Sequence, residues 1–242
     1  MDETTFEHSI YRNWANHFGQ AAEITNQPGT TLIQEEKYRG DQSVAFWYIG
    51  KHTFAQFDPD LADVLRDAMA QFPVDESLTA DALASILGAK RIKDRDRCRM
   101  LYLYPGDLPE YVPPAPYLIR QMSLADAGAL LALKGFVTPE EIDEGFVEVT
   151  HQIAFGCFDG AKLVAASSGY DLAGFMDIGV LTHSAFRRKG LGKAVVGALC
   201  AWAIENGYIV QYRHDVTNTG SAHVAESLNF KVFGEEETLW LK

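Results

Sequence analysis

The chain has 242 residues, of which 47% are hydrophobic and 22% charged, and its formal net charge at pH 7 is −12. This composition is typical of a soluble globular protein that can bury a core, and the length fits one or two domains. The acidity excludes a general nucleic-acid binder, which needs a basic surface. It is compatible with a cationic acceptor substrate, although solubility alone explains it equally well.

The cysteines and the apolar runs indicate the compartment. Cys98, Cys157 and Cys200 lie far apart and form no Cys-x-x-Cys pair, so we expect a reducing environment, no disulfide framework and no metal site. The N-terminus is acidic where a secretory signal is basic. The longest nearly apolar run, 194–204, is shorter than the ~20 residues that span a bilayer. We therefore predict a cytoplasmic protein without a membrane partner.

A proline cluster divides the chain, since five of the nine prolines lie between Pro105 and Pro116. Proline fixes φ and disfavours helix in the residue before it, so this stretch is predicted to be an extended connector. We predict a mixed α/β N-terminal domain over residues 1–112, a proline-rich linker over 113–116 and a second domain over 117–242.

The first half shows the patterns of a mixed α/β domain. They predict strands over 44–49 and 99–104, and helices over 61–72 and 79–88. Gly88 is expected to end the second helix. His52 and Asp58 could serve a site, but ordinary surface or capping roles fit them better.

The second half alternates strand and helix patterns in a more regular order. They predict a strand over 117–122, a helix capped by Ser123, a helix opening at Thr138, a hairpin of 153–158 and 162–170, and a strand over 176–182. Asp159-Gly160 is the expected hairpin turn, because Asp-Gly favours the tight turns that join two strands.

Residues 187–193, which we call the basic loop, have the sequence Arg-Arg-Lys-Gly-Leu-Gly-Lys and precede a long apolar helix. Glycines in the first turn leave backbone N–H groups uncovered at the positive end of the helix dipole, where an anion of pyrophosphate size would bind. The alternative is a basic surface turn in which glycine only permits a tight loop. The helix is predicted to pack along one apolar stripe of Leu191, Val195, Ala198 and Trp202.

Arg187, Gly190 and Gly192 match the signature Q/R-x-x-G-x-G/A of the GCN5-related N-acetyltransferase (GNAT) superfamily, which the chain resembles over residues 117–242. The run 178–183 is similar to a subgroup of two-domain members, in which a less regular N-terminal half precedes the transferase half. The resemblance implies an α/β (α+β) fold with a mixed, mostly antiparallel twisted sheet and flanking helices. A smaller mixed α/β domain would precede it.

The order of elements after the basic loop is also similar to the superfamily. A predicted strand over 208–213 is followed by Asn218, a short helix and Phe230, in the place of the pattern N-x-x-A…Y-x-K-x-G-F. Ser221 and Asn229 replace the usual alanine and glycine. Asparagine suits such a turn because it enters the left-handed region more readily than other residues.

The resemblance implies acetyl-CoA as co-substrate. The strands over 176–182 and 208–213 would be parallel neighbours that splay apart, so that their unpaired backbone groups bind the pantetheine arm. The implied contacts to pantetheine are Val180, Leu181, Thr182 and Asn218. The implied contacts to the pyrophosphate are Arg187, Arg188, Lys189, Gly190, Leu191, Gly192 and Lys193.

The implied activity is N-acetyl transfer by direct attack of an amine on the thioester. Most alkylamines are protonated near pH 7, so a base or a water relay is expected. Asp177 is the first candidate for that base and Asp215 the second, although Asp177 could also be a solvent-facing charge at the strand edge. His183 and His214 could act as bases too, but a loop-packing role fits His183 better.

Two further steps of the implied reaction concern the carbonyl oxygen and the leaving thiolate. A backbone N–H of Leu181 or Thr182 would stabilise the oxyanion. The tyrosine that often protonates the thiolate in the superfamily falls at Ala225, so that acid is missing.

Two other classes of function stay open. One is a non-catalytic acyl-CoA-binding regulatory module, and the other is an ATP-binding protein, although the loop lacks the G-x-x-x-x-G-K-[ST] pattern. The expected acceptor is a small-molecule or peptide amine, and the chain is expected to be a monomer or homodimer without a nucleic-acid partner. The N-terminal half is expected near the acceptor, through residues around 46–52 or 99–104.

Overall fold

The computed structural model describes residues 2–73, 75–110 and 115–242. The chain divides into two compact units, the first of Met1–Met100 with Phe233–Lys242 and the second of Leu101–Val232. The domain boundaries proposed from the proline cluster stay a prediction, and Pro113 and Pro114 of the predicted linker lie outside the described residues. Pro105–Asp107 forms a short 3-10 turn instead of the extended backbone that the prolines predict.

The described residues form both helices and strands. The helices are α1 (Glu3–His17), α2 (Ala62–Met69), α3 (Ala80–Leu87), α4 (Ala127–Lys134), α5 (Pro139–Gly145), α6 (Leu191–Glu205) and α7 (Thr219–Ser227). The strands are β1 (Gly29–Gln34), β2 (Ser43–Ile49), β3 (His52–Phe57), β4 (Ile92–Leu103), β5 (Leu118–Gln121), β6 (Ile153–Asp159), β7 (Lys162–Leu172), β8 (Phe175–Thr182), β9 (Val210–Asp215) and β10 (Lys231–Leu241). Over the described ranges, no helix has the length and apolar character that crossing a membrane requires.

The first unit is built on a sheet in which β1 pairs with β3 in parallel, while β3 with β2 and β2 with β10 are antiparallel. Its aromatic core includes Trp14, whose ring lies 4.9 Å from that of Trp47, and Phe18, which stacks on Phe54 at 4.4 Å. The predicted strand over 44–49 and the two predicted helices are confirmed. Gly88 ends α3 with a φ of +84°.

The polar candidates of the first unit have structural partners. Asp58 accepts hydrogen bonds from the backbone N–H groups of Gln42 and Asp60 at 2.8 and 2.9 Å. His52 Nε2 lies 2.9 Å from the Thr31 hydroxyl. Asp58 therefore has the capping role that was expected, whereas His52 is a buried packing residue rather than a surface residue.

The charged part of β4 is longer than its sequence pattern indicates, because the strand begins at Ile92 rather than near residue 99. Its arginines form ion pairs with the neighbouring acidic segment of β10, Arg95 with Glu237 and Arg97 with Glu235. Cross-strand pairs of opposite charge stabilise a strand that has little apolar alternation. Local hydrophobic patterning cannot detect that kind of support.

The second unit contains a mostly antiparallel sheet in the order β9-β8-β7-β6-β5. β5 to β8 pair antiparallel, and only β8 and β9 are parallel. Four helices, α4 to α7, belong to this unit. The predicted fold class, hairpin, helix starts and strand over 176–182 are confirmed, including a capping box at Thr138.

Helix α6 buries a wider face than the single stripe predicted from its sequence. Leu191 and Val195 are buried as expected, but Ala198 and Trp202 are only half-buried. The remaining buried positions of the helix are Gly192, Ala194, Val196, Leu199, Cys200 and Ala203. Packing on the sheet covers these positions, while Trp202 stacks on Tyr208 with ring centroids 5.9 Å apart.

The end of α5 lies directly on β8. A Cβ atom added to Gly179 would lie 1.8 Å from the carbonyl oxygen of Gly145, far inside van der Waals contact. A Cβ on Gly145 would in turn lie 2.7 Å from Leu181 Cδ2. Two facing glycines therefore let the helix end approach the strand backbone.

We expect Gly179→Ala to lower the free energy of unfolding by about 1–3 kcal/mol or more, because the methyl group forces the α5–β8 contact apart. Gly128→Ala in α4 is the matched control, since a Cβ there meets nothing within 4 Å. Alanine is also the better helix former, so this control should be neutral or stabilising. Urea denaturation of both variants measures the difference, and an equally stable Gly179→Ala would contradict the close approach.

Candidate active site

Strands β8 and β9 pair over only three residues, from Met176–Val210 to Ile178–Tyr212. Beyond this point, in the described part of the chain, β8 continues to Thr182 and β9 to Asp215 without pairing to each other. We call the opening between these two strand ends the strand gap. The splay implied by the superfamily resemblance is thereby confirmed.

The direction of the backbone N–H and C=O groups alternates along β8, and this alternation shows which residues face the strand gap. His183 N donates to Val164 O on the β7 side, and Met176 N donates to Ile209 O on the β9 side. Because strand N–H and C=O groups alternate between the two neighbours, those of Val180 and Thr182 point towards the strand gap. The N–H of Leu181 points towards β7 instead.

The basic loop leads into an uncapped helix start. Gly190 precedes α6 in the left-handed region with a φ of +75°, and no described side chain caps the first turn. The helix therefore presents backbone N–H groups and the positive end of its dipole at the loop. Arg188 and Lys189 are exposed beside it.

Arg187, the first residue of the matched signature, is already engaged by protein groups. Its Nη2 donates to Glu141 Oε2 at 2.8 Å, and its Nε donates to the carbonyl of Thr182 at 3.3 Å. Burial raises the pKa of Glu141, but hydrogen bonds from Thr138 N–H and Arg187 outweigh this and hold it below its usual value. Arg187 thus ties α5 to the end of β8.

Gly192 is buried where α6 meets the end of β8. A Cβ atom on it would lie 3.1 Å from the hydroxyl of Thr182. A glycine at this position therefore keeps the helix start close to the strand end that borders the gap.

Asp177 is the most constrained carboxylate of the second unit's sheet. Its Oδ2 accepts hydrogen bonds from the Tyr170 hydroxyl at 2.8 Å and from Arg213 Nη2 and Nε at 2.9 and 3.1 Å. The side chain is 5% exposed, so the alternative of a solvent-facing strand charge is wrong. Its Oδ1 is buried and has no hydrogen-bond partner among the described residues.

A cavity of about 210 Å³ lies at this carboxylate. Its lining residues are Asp143, Glu144, Gly145, Phe146, Tyr170, Asp177, Ile178, Gly179 and Arg213. A buried polar atom normally has a partner, so the unpartnered Oδ1 of a side chain that lines the cavity marks Asp177 as a candidate functional group. Burial, together with the charge of Asp177, raises the pKa of Tyr170 to about 12, so its hydroxyl stays protonated near neutral pH.

Asp215 and Asn218 lie outside the lining of this cavity and serve the turn before α7. Asp215 Oδ1 accepts from the backbone N–H of Thr217 at 2.6 Å. Asn218 Oδ1 caps α7 by accepting from Ser221 N at 2.9 Å, and its Nδ2 donates to Glu144 Oε2 at 2.7 Å. Asn218 therefore links the start of α7 to the rim of the cavity.

The two histidine candidates are held by packing. His183 is buried, accepts from Ala185 N at 3.1 Å through Nδ1, and stacks on Phe136 at 4.0 Å. Burial, with Lys162 and Arg187 nearby, lowers its pKa. The prediction of a loop-packing role for His183 is confirmed. His214 is also buried, with Nδ1 2.8 Å from the carbonyl of Asp215.

The departures from the superfamily pattern are visible in the structure. Ala225 is buried in the core between α6, α7 and β9, where a tyrosine side chain would not fit without repacking. Asn229 has a φ of +64°, which confirms the left-handed turn expected for it.

The sequence did not point to Tyr170, Arg213 or Phe146 as lining residues. Tyr170 pairs with Asp177 across the β7–β8 hairpin, and the Ala173-Gly174 turn, with φ values of +56° and +80°, fixes that register. Counting back from a two-residue turn could therefore have found Tyr170. Arg213 and Phe146 come from separate elements and carry no such local signal.

The family model of the GNAT acetyltransferase matches residues 150–237. This part of the chain is therefore similar to the GNAT acetyltransferases. The matched range contains Asp177, the strand gap and the basic loop. A search of curated proteins found no significant match.

Solved structures of GNAT proteins share this fold at low sequence identity. An acetyltransferase of the GNAT family from Colwellia psychrerythraea is 14% identical, covers 82% of this chain and 81% of its own, and has a TM-score of 0.53. A GCN5-related N-acetyltransferase from Kribbella flavida is 21% identical and covers 76% of both chains at a TM-score of 0.50. The chain spans 65% of a GNAT-family protein from Novosphingobium aromaticivorans, which is 16% identical and covers 62% of this chain at a TM-score of 0.48.

We expect Arg213→Met to lower the free energy of unfolding by about 1–3 kcal/mol, because it leaves the buried Asp177 carboxylate without its cation. Adding Asp177→Asn should recover part of the loss, since no buried charge then lacks a partner. Lys231→Met is the control, because it removes an exposed cation that pairs with Asp107. Urea denaturation compares the variants, and wild-type stability of Arg213→Met would contradict the role of the pair.

Proposed function

We propose that this chain is an acetyl-CoA-dependent N-acetyltransferase that acts on a small-molecule or peptide amine. The observation that carries the proposal is the buried, unpartnered Asp177 Oδ1 beside the strand gap, within a GNAT unit. The gap and the carboxylate meet the two needs of the reaction, a place for the thioester and an acceptor for the amine proton. We also propose a cytoplasmic location, which the absence of a disulfide among the three cysteines favours.

Acetyl-CoA would be held by backbone groups and by the basic loop. Val180 directs its N–H and C=O groups to the gap and Thr182 directs its N–H, and these groups would bond the pantetheine amides. The Thr182 carbonyl already accepts from Arg187. Pyrophosphate would bind the N–H groups at the start of α6, with Arg188 and Lys189 adding charge-assisted bonds. Bound acetyl-CoA supplies the electrophilic thioester carbon. The alternation along β8 favours Thr182 or Val180 over Leu181 as the oxyanion donor.

Asp177 rather than Asp215 is proposed as the proton acceptor. Arg213 and Tyr170 bond Oδ2, which leaves Oδ1 without a partner in a side chain that lines the cavity. Asp215 is engaged by the Thr217 turn and does not line the cavity. A carboxylate that already has a fixed orientation accepts a proton from a bound amine without reorganising.

No side chain is proposed as the acid for the leaving thiolate. Ala225 offers no proton, and the high pKa of Tyr170 makes it a poor donor to a thiolate, whose conjugate acid has a pKa near 8.5. A thiolate of this pKa leaves readily near neutral pH. Tyr170 is therefore a positioning residue for Asp177.

Binding of acetyl-CoA tests the proposal first. Acetyl-CoA at ~100 times its Kd should add about 2.7 kcal/mol of stability, visible as a rise in Tm, while ATP should add none. Arg188→Asn should raise the Kd of acetyl-CoA by about 10- to 100-fold, because it removes a charged contact to the phosphate. Asparagine is the replacement because it tolerates the backbone φ of +61° at this position. Arg66→Gln, which removes an exposed cation from α2, should bind normally.

A shift in Tm with ATP and none with acetyl-CoA would favour the nucleotide-binding alternative. Acetyl-CoA binding without transfer to any amine would favour the non-catalytic regulatory module. Transfer to an amine, measured as thiol release, supports the proposed enzyme.

The pH dependence of the reaction tests the assignment of the base. We expect kcat/KM to rise with pH to a plateau and to show no decline at any pH below about 9. The Tyr170 hydroxyl keeps its proton over this range and so continues to hold Asp177. Asp177→Asn should lower the plateau by about 100-fold or more, with little change in the Kd of acetyl-CoA. An unchanged plateau would move the base to Asp215, a histidine or water. A falling limb near neutral pH would show that another side chain donates a proton.

A further inference from the structure

The cavity at Asp177 is lined by one buried carboxylate and two exposed carboxylates. Asp177 is buried, whereas Asp143 and Glu144 are exposed at the end of α5. All three carboxylates line the same cavity. The cavity therefore offers one deep acceptor of hydrogen bonds and a separate acidic rim.

Arg213 is bonded to the buried carboxylate of the cavity. Among the lining residues that the structure describes it is the one cation, and both its Nη2 and its Nε donate to Asp177 Oδ2. Glu144 accepts a hydrogen bond from Asn218, which is uncharged. The rim thus favours a cation and disfavours a carboxylate.

An aromatic residue with an unusual backbone conformation lies beside this rim. Phe146, the residue that ends α5, has a φ of +40°, which is rare for a bulky residue, and the residue is 49% exposed. Its ring lies 5.2 Å from that of Tyr170, with an edge-to-face angle of 84°. Exposed aromatic faces attract ammonium groups, and backbone strain of this kind is concentrated at functional sites.

We propose that the acceptor is a small aliphatic diamine. One nitrogen would face Asp177 Oδ1 and be acylated, and the other, as an ammonium group, would lie between the acidic rim and Phe146. A cavity of about 210 Å³ has room for a short chain of this kind. This inference rests on the proposed N-acetyltransferase activity.

The reaction balances with the groups already named. The neutral amine nitrogen forms the new C–N bond with the thioester carbon, and the C–S bond breaks with its electron pair on sulfur. The proton of the amine passes to Asp177 Oδ1 and then to solvent, while the thiolate takes a proton from water. The second ammonium group takes no part in bond formation and contributes only to binding.

Thiol release from acetyl-CoA with three acceptors built on four carbon atoms tests the proposal. They are 1,4-diaminobutane, butylamine and 4-aminobutanoate, which end in an ammonium, a methyl and a carboxylate group. We expect kcat/KM for the diamine to exceed that for butylamine by about tenfold, through the ion pair and the cation–π contact. The value for 4-aminobutanoate should be lower still.

Variants of the rim separate this preference from general effects. Asp143→Asn with Glu144→Gln should bring the ratio of the diamine to butylamine close to one. Glu140→Gln removes an exposed carboxylate from the same helix outside the cavity, so it should leave the ratio unchanged.

Each other outcome overturns the inference in a distinct way. Equal kcat/KM for the diamine and butylamine, or a preference for 4-aminobutanoate, would overturn the diamine and leave the proposed acetyltransferase standing. A ratio that survives in the rim variant would overturn the role of Asp143 and Glu144. Transfer to no amine would overturn the proposed function and the diamine together.

Discussion

The early end of pairing between β8 and β9 is the constraint on which the candidate site depends. Once the strands separate after Ile178 and Tyr212, the backbone groups of Val180 and Thr182 lose a neighbouring strand. Backbone groups of half-buried residues without a strand neighbour bond either water or a ligand, so a ligand with amide groups fits this place. The glycines at 179 and 192 serve the same end of β8, because they allow α5 and α6 to approach it closely.

The second element of the site is a carboxylate held from one side. Arg213 and Tyr170 both bond Asp177 Oδ2, so the orientation of the side chain is fixed, while Oδ1 has no partner among the described residues. A buried ion pair contributes little net stability by itself. Its value in this fold is the orientation of one oxygen atom next to the strand gap and the acidic rim.

Local features of the site could be predicted from the sequence, whereas the residues that line its cavity could not. The basic loop, the helix starts at Ser123 and Thr138 and the Asp-Gly hairpin depend on neighbouring residues, and the structure contains them. The cavity combines Phe146, Tyr170 and Arg213 from three separate elements. Their meeting depends on strand register and on the approach of α5 to β8, which no single segment encodes. The charged half of β4 was missed for a similar reason, since its support comes from β10.

Residue-resolved hydrogen exchange of the backbone amides of β8 is the measurement that tests the strand gap most directly. Saturating acetyl-CoA should slow exchange at Val180 and Thr182, whose N–H groups face the gap, while Leu181 should change little because β7 already protects it. ATP should leave all three rates unchanged. Unaltered exchange at Val180 and Thr182 in the presence of bound acetyl-CoA would contradict the account.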